Sequence, residues 1–138
     1  MKAVRTMILL VGLAGLSGCA AVALTAGGIA GGAGVEHTLS GIAYKTFAAP
    51  MENVRLATLQ TLKQMDMRVK DDRKAENGWE IAATANDREI DVELEALTAR
   101  TTRMRVVVSK GDIFFKDAAT GTEIIVQTAD KLVQQAKR

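Results

Sequence analysis

Beyond residue 41 the chain alternates between hydrophobic and polar residues with two different periods. A period of two predicts strands at Ile42–Ala48 and Met67–Asp72. Between these strands, hydrophobic residues recur at helical spacing after Pro50, a residue that suits the first position of a helix. The residues that share this helical face are Met51, Val54, Leu62 and Met65. We therefore expect a helix of about four turns whose hydrophobic side packs on a flat surface.

Three further strands follow, and the turns between them predict their register. The strands are Trp79–Ala85, Arg88–Leu97 and Thr101–Lys110. A two-residue turn at Asn86 and Asp87 places Ile81 opposite Val92. If Leu97 lies opposite Thr101 across the next turn, Val92 also faces Val106. One face of the central strand is then apolar on both sides, as in an antiparallel sheet with a single buried face.

The C-terminal residues predict a second helix. Thr120 and Glu123 match a capping box, and hydrophobic residues follow at helical spacing as far as Ala136. The resulting order is β-α-β-β-β-β-α. We therefore expect an α+β fold in which two helices lie on one face of an antiparallel sheet of about five strands.

The N-terminal residues have a different pattern, which predicts a signal peptide. Lys2 and Arg5 precede a run without charges from residue 6 to residue 35. Within this run, Met7–Gly15 has the length of the hydrophobic region of a signal peptide. An uncleaved membrane-spanning helix is the alternative, since the uncharged run exceeds the roughly 20 residues that such a helix needs.

The tetrad Leu16, Ser17, Gly18 and Cys19 resembles the lipobox of bacterial lipoproteins at all four positions. The resemblance implies recognition by a signal peptidase, cleavage before Cys19, and attachment of diacylglycerol to its sulfur and of a fatty acid such as palmitate to its amino group. Several acyl chains anchor durably, since each buried CH₂ contributes about 0.8 kcal/mol. By similarity to enterobacterial sorting, Ala20 implies the outer membrane, with the protein on its periplasmic face.

Glycine marks the expected domain boundary, because eight of the twelve glycines lie within the first 34 residues. We expect a signal peptide at 1–18, a lipidated cysteine and an Ala/Gly-rich linker at 19–41, and a periplasmic domain at 42–138. His37 is then an exposed residue of the linker.

The combined features resemble a family of small bacterial envelope lipoproteins that is classed only as a domain of unknown function. These features are the lipobox, the Ala/Gly linker, a strand containing Tyr44, and the segments ATLQTLKQM and TTRMRVVV before a last helix. The resemblance implies a lipid-anchored envelope protein without a named activity. Where that family often has a short Phe-Gly-Asp turn, this chain has Ile113–Lys116.

Composition argues against several chemistries. A single Cys excludes an intramolecular disulfide, and a single His leaves little for His-based catalysis. Without Lys2 and Arg5, 16 basic residues balance 16 acidic residues, so no net positive charge favours nucleic acid. We expect no catalytic residues, no metal and no cofactor.

The strand Arg88–Leu97 carries a stripe of acidic residues, which the predicted register explains without a metal ion. Glu93 lies opposite Arg105 and Glu95 opposite Arg103, so cross-strand ion pairs are expected. Carboxylates at alternate positions of a strand also diverge along a line, whereas Ca²⁺ and Mg²⁺ need converging oxygens.

Two hypotheses concern what the domain binds. Phe114 and Phe115, between a strand and a helix, are candidate contacts for an envelope protein partner or the membrane surface, or else they close one end of the core. The alternative is a carrier of an apolar or lipid-like ligand in a cleft between helices and sheet, lined by Met51, Met65, Met67 and Met104. An envelope enzyme would need a nucleophile and a base in one pocket, for example around Ser109.

Overall fold

The computed structural model describes residues 37–39 and 41–138. Within them the chain forms, in order, β1 (His37–Leu39), β2 (Ile42–Phe47), α1 (Met51–Gln64), β3 (Arg68–Ala75), β4 (Gly78–Ala85), β5 (Arg88–Thr98), β6 (Thr101–Lys110), β7 (Asp112–Lys116) and α2 (Ala118–Ala136). The predicted α+β class and the order β-α-β-β-β-β-α are confirmed by β2–β6 and the two helices. The short strands β1 and β7 extend the predicted sheet.

The sheet is antiparallel throughout, with the order β1-β2-β6-β5-β4-β3. Strand β7 also pairs with β6, on the side of β6 that β2 occupies farther along. The strand β5 therefore lies near the middle of the sheet, and β3 forms one edge of its described part.

The predicted register of the central strands is confirmed. Ile81 pairs with Val92, and Val92 pairs with Val106. The predicted pair of Leu97 with Thr101 is wrong, because Thr98 pairs with Thr101 after a register shift between residues 96 and 98. A hydrogen bond from the backbone N–H of Arg100 to Thr98 Oγ1 tightens this turn and leaves Leu97 unpaired and exposed.

Strand β3 is longer than predicted and contains an irregularity. It runs to Ala75 rather than to Asp72, and its register shifts between Val69 and Asp71. The shift breaks the simple alternation, so Asp72 pairs with Ile81 and shares the face that carries the helices. Val69 pairs with buried Ala83 and so lies on the helix side, but it stays 37% exposed at the sheet edge.

The segment before the last helix is a strand rather than the predicted loop, and the helix starts earlier than the capping box indicates. Asp117, not Thr120, is the N-cap residue: its Oδ1 accepts a hydrogen bond from the Thr120 backbone N–H at 3.0 Å. The Asp117 backbone N–H donates to the Val108 carbonyl at 2.8 Å. This bond fixes the chain beside β6 just before α2 begins.

Strand β1 consists of residues that the sequence assigns to the linker, and His37 pairs with Tyr44 of β2. Gly41 makes this pairing possible. Its φ of 77° favours glycine, and a Cβ built there would lie 2.2 Å from Lys116 Cβ. Any other residue at position 41 would collide with the end of β7.

The hydrophobic core lies between the helices and one face of the sheet. Its fully buried residues include Val54, Leu62, Ile90, Val106 and Ile124. Four threonines are also buried, and the hydroxyl of each takes part in a hydrogen bond. Thr58 donates to the Val54 carbonyl and Thr102 to the Ala49 carbonyl, while Thr128 donates to Thr61 Oγ1. Their polar groups are therefore satisfied inside the core.

Candidate functional site

The face of the sheet away from the helices carries mainly polar and charged side chains, and we call it the open face. It includes Ile42, Tyr44 and Thr46 of β2, Arg103, Arg105, Val107 and Ser109 of β6, Glu89, Asp91, Glu93 and Glu95 of β5, Glu80, Ala82 and Thr84 of β4, Arg68, Asp71 and Arg73 of β3, and Lys116 of β7. Along β5 the alternation is clear, because residues 90, 92 and 94 are buried and their neighbours are largely exposed. Both helices pack on the buried side, so no helix of the described chain covers this face.

Two ion pairs cross between β5 and β6 on the open face, as the register predicts. Arg103 Nη2 lies 2.5 Å from Glu95 Oε2, and Arg105 Nη1 lies 2.5 Å from Glu93 Oε1. These side chains are about one-third to one-half exposed. In such solvated positions an ion pair contributes only about 0.2–1 kcal/mol to stability, so these charges remain accessible to a partner.

Two carboxylates of like charge lie side by side at the centre of the open face. Glu80 pairs directly with Glu93 across β4 and β5, an arrangement that is destabilising by itself. A flanking arginine compensates on each side: Arg73 Nη2 lies 2.6 Å from Glu80 Oε2, and Arg105 binds Glu93. Tyr44 Oη accepts a hydrogen bond of 3.4 Å from Arg105 Nε. A row of charges in which two central carboxylates are flanked by two arginines therefore crosses most of the sheet.

A cavity of about 360 Å³ opens on the same face. Ala82 and Val107 contribute apolar surface to it, and Asp91, Arg105 and Lys116 contribute charged groups. Val107 is only 6% exposed although it lies on the open face. The cavity thus combines apolar and charged walls at the centre of an exposed surface.

Two other cavities lie at opposite ends of the sheet. One of about 380 Å³ is lined by polar residues that include Lys70, Thr84 and Ser109. Another of about 340 Å³ lies beside Glu76 and Trp79. None of the three cavities is lined by a methionine. Met104 and Met67 are buried in the core, and Met51 and Met65 pack against it.

A cluster of three side chains joins α1 to β3 and β4, and the sequence analysis did not find it. Arg55 Nε and Nη2 donate to the two carboxylate oxygens of Asp72 at 3.0 and 2.5 Å. The Trp79 indole N–H donates to the same carboxylate, and the Arg55 guanidinium lies 4.5 Å from the Trp79 ring. The hydrogen bond from Arg55 is the main cause that lowers the pKa of Asp72 below its ordinary value.

A second missed cluster surrounds Asp117 at the start of α2. Arg88 Nε donates to Asp117 Oδ2 at 2.7 Å, and the Thr120 hydroxyl donates to the same oxygen at 2.7 Å. The backbone N–H of Thr120, followed by Arg88, lowers the pKa of Asp117 to about 2. Aspartate is a preferred N-cap residue, so Asp117 is a visible candidate in the sequence. The capping-box pattern at Thr120 and Glu123 favours Thr120 instead.

The structure tests few of the residues that the sequence predicts as sites. Leu16, Ser17, Gly18 and Cys19 lie outside the described residues. Phe114 and Phe115 belong to β7, so they follow a hairpin beside β6 and not a loop, and their side chains are also outside the description.

Ser109, named as a possible nucleophile, lies beside Lys116. Lys116 Nζ donates to Ser109 Oγ at 3.5 Å, and the bond is exposed. Among residues 41–138 with described side chains, no group of three or more His, Cys, Asp or Glu is arranged to hold a metal ion.

The open face, with its charged rows and central cavity, is thus the most distinctive accessible surface.

The model of a protein family matches residues 2–114, and this family is described as a protein of unknown function, DUF3568. The chain belongs to this family. The DUF3568 match covers the N-terminal segment and the sheet as far as β7, and it stops before α2. No curated protein matches the chain. In the described part of this DUF3568 member, neither helix has the length and hydrophobicity to cross a membrane.

Proposed function

We propose that this protein is a bacterial outer-membrane lipoprotein, anchored through lipid on Cys19, whose periplasmic domain is a non-catalytic binding or envelope-structural module. The observation that carries the proposal is the N-terminal order of features: two cations, an uncharged hydrophobic segment, and then the tetrad from Leu16 to Cys19. The family match begins at residue 2, which supports the view that this segment belongs to the shared pattern of the family.

The anchor and the domain are separated by enough chain to act independently. Residues 20–36 lie between Cys19 and the first described strand, and they span at most about 60 Å when fully extended. The domain can therefore stand clear of the lipid headgroups while it remains confined to the membrane surface.

The open face supports the role of a binding module. Its charges are solvated, its central cavity has both apolar and charged walls, and no described helix covers it. Phe114 and Phe115 form a second candidate contact, because β7 continues the same sheet at the edge. By contrast, the methionines proposed to line a lipid cleft pack in or against the core, so we favour a protein partner over an apolar ligand.

Metabolic labelling with palmitate tests the anchor directly. The wild-type chain should incorporate label and fractionate with the outer membrane, whereas Cys19→Ala should lose both properties. Ala20→Asp is the matched control: it should retain the label but shift to the inner membrane if the enterobacterial sorting rule applies.

Two results would contradict parts of the proposal. If Cys19→Ala remains tightly membrane-bound without label, residues 6–35 act as an uncleaved membrane span and the lipoprotein assignment fails. If the purified domain carries a stoichiometric lipid that mass spectrometry detects, the carrier hypothesis replaces the protein-binding module.

A further inference from the structure

We propose that the occupant of the open face is a second copy of this chain, bound through a two-fold axis that runs parallel to the strands between β5 and β6. The inference rests on the proposed function, since it names the partner of the binding module. It follows from the way in which charges, hydroxyls and apolar residues are distributed over neighbouring strands.

A two-fold axis in the plane between two facing sheets keeps each residue at its level along the strands and exchanges the strands on either side of the axis. Placed between β5 and β6, it lays β6 of one copy over β5 of the other, and β2 over β4. Facing sheets keep their strands within about 30° of each other, so these correspondences are closest near the axis.

The charges nearest to the axis are complementary under this operation. Arg105 of one copy faces Glu93 of the other, and Arg103 faces Glu95, because each arginine pairs with that same glutamate within its own chain. On the two central strands, each level therefore contains two arginines and two glutamates in alternation. Every carboxylate gains a second guanidinium neighbour without bringing like charges face to face.

The strands one step farther from the axis are also compatible. Tyr44 of β2 faces Glu80 of β4, where a phenolic hydroxyl can donate to a carboxylate. At the next level Ile42 faces Ala82, so apolar surface meets apolar surface. A ligand of uniform charge, such as a nucleic acid or a polycation, would match only one of the two central strands.

Of the remaining acidic residues of β5, Glu89 receives a direct partner in the same arrangement. Glu89 and Asp91 are exposed and form no hydrogen bond or ion pair with the described side chains. In the dimer Glu89 faces the hydroxyl of Ser109. Asp91 faces Val107, and Lys116 of the other copy, which pairs with Ser109, lies one strand and one level away from it.

Charge reversal with complementation tests the dimer in the full-length chain. Two versions with different epitope tags are co-expressed, crosslinked in intact cells, and captured through one tag. The wild-type pair should be captured together. Glu93→Arg or Arg105→Glu, each present in both tagged chains, should lower capture at least about tenfold, because like charges then face each other.

Co-expression of Glu93→Arg with Arg105→Glu should restore capture, since each introduced charge then faces an opposite one. The matched controls Asp130→Arg and Lys63→Glu change the net charge equally on exposed helix positions and should leave capture unchanged. Should the reversal variants fail to accumulate, Glu93→Gln and Arg105→Gln remove the charges without repulsion, and each should still lower capture.

The dimer is overturned if the two tagged wild-type chains are not captured together. It is also overturned if capture is unchanged in both charge-reversal variants, or in both glutamine variants. Loss in each variant without restoration in the mixed pair overturns the two-fold geometry. Palmitate labelling of the same cells reports the anchor separately, so failure of the dimer and failure of the lipoprotein assignment give different results.

Discussion

Arg55 stacks over the ring of Trp79 while both side chains donate hydrogen bonds to the carboxylate of Asp72. The three residues come from α1, β3 and β4, and their partly buried positions strengthen the interactions relative to solvated pairs. The cluster therefore connects the edge strand β3, none of whose residues is buried, to the helix layer.

The Asp72 carboxylate should stabilise the fold measurably. Asp72→Ala leaves the Arg55 guanidinium and the Trp79 N–H without their shared acceptor, and we expect a loss of about 1–3 kcal/mol in the free energy of unfolding. Urea unfolding measures this loss. Asp71→Ala is the matched control, because the Asp71 carboxylate is exposed and its contacts are solvated: an ion pair with Arg73 and a hydrogen bond from the Asp72 backbone N–H. It should cost less than about 1 kcal/mol. Equal losses in the two variants would show that the cluster contributes nothing specific.

Asp117 should make stability depend on pH in the acidic range. Its pKa is about 2 in the folded chain against an ordinary value of 3.8, so its contribution is present above pH 3.8 and is lost as pH falls towards 2. Asp117→Asn retains a capping oxygen but cannot titrate, and the difference in unfolding free energy from wild type should shrink over that interval. Asp117→Ala should cost about 1–2 kcal/mol at neutral pH. A wild-type and Asp117→Asn difference that is constant with pH would disprove the role of the charge.

Gly78 should be the least replaceable glycine of the sheet. A Cβ at Gly78 would lie 1.8 Å from the Leu94 carbonyl oxygen, and backbone cannot move as a flexible side chain can. We expect Gly78→Ala to cost more than about 2 kcal/mol. Gly111 has a φ of 66° but open space around it, so Gly111→Ala should cost only about 1 kcal/mol. Thermal unfolding of both variants compares them, and the reverse order would contradict the close approach of β4 to β5.

Met104 should behave as a core residue and not as part of a ligand cleft. It is fully buried, and Met104→Ala should cost about 2–5 kcal/mol in urea unfolding. Leu56→Ala, at a position 43% exposed on α1, should change stability by less than about 1 kcal/mol. A small effect at Met104, together with gain of lipid binding, would favour the carrier hypothesis.

Much of the sheet followed from the sequence because side-chain alternation constrains register strongly. A shift of one residue would have moved Ile90, Val92 and Leu94 to the solvent, so the turn at residues 86 and 87 and the hydrophobic pattern agreed on one solution. The pairs of Glu93 with Arg105 and of Glu95 with Arg103 followed from the same register.

The features that were missed are decided by tertiary contacts, and a local pattern alone cannot choose between the alternatives. The irregularity in β3 moves Asp72 to the helix side, where Arg55 from a distant segment binds it. Likewise, Asp117 became the cap of α2 because the Val108 carbonyl holds its backbone and Arg88 holds its side chain. Thr120 matched a local motif equally well, and only the path of β7 decides between the two.

The two clusters around Asp72 and Asp117 both lie on the side of the sheet that carries the helices. Because side chains alternate along a strand, one side of the sheet holds the two helices and the opposite side carries the accessible charges. Substitutions on the displayed side can accumulate with little effect on folding. The charges that this chain displays can therefore change while its fold stays constant.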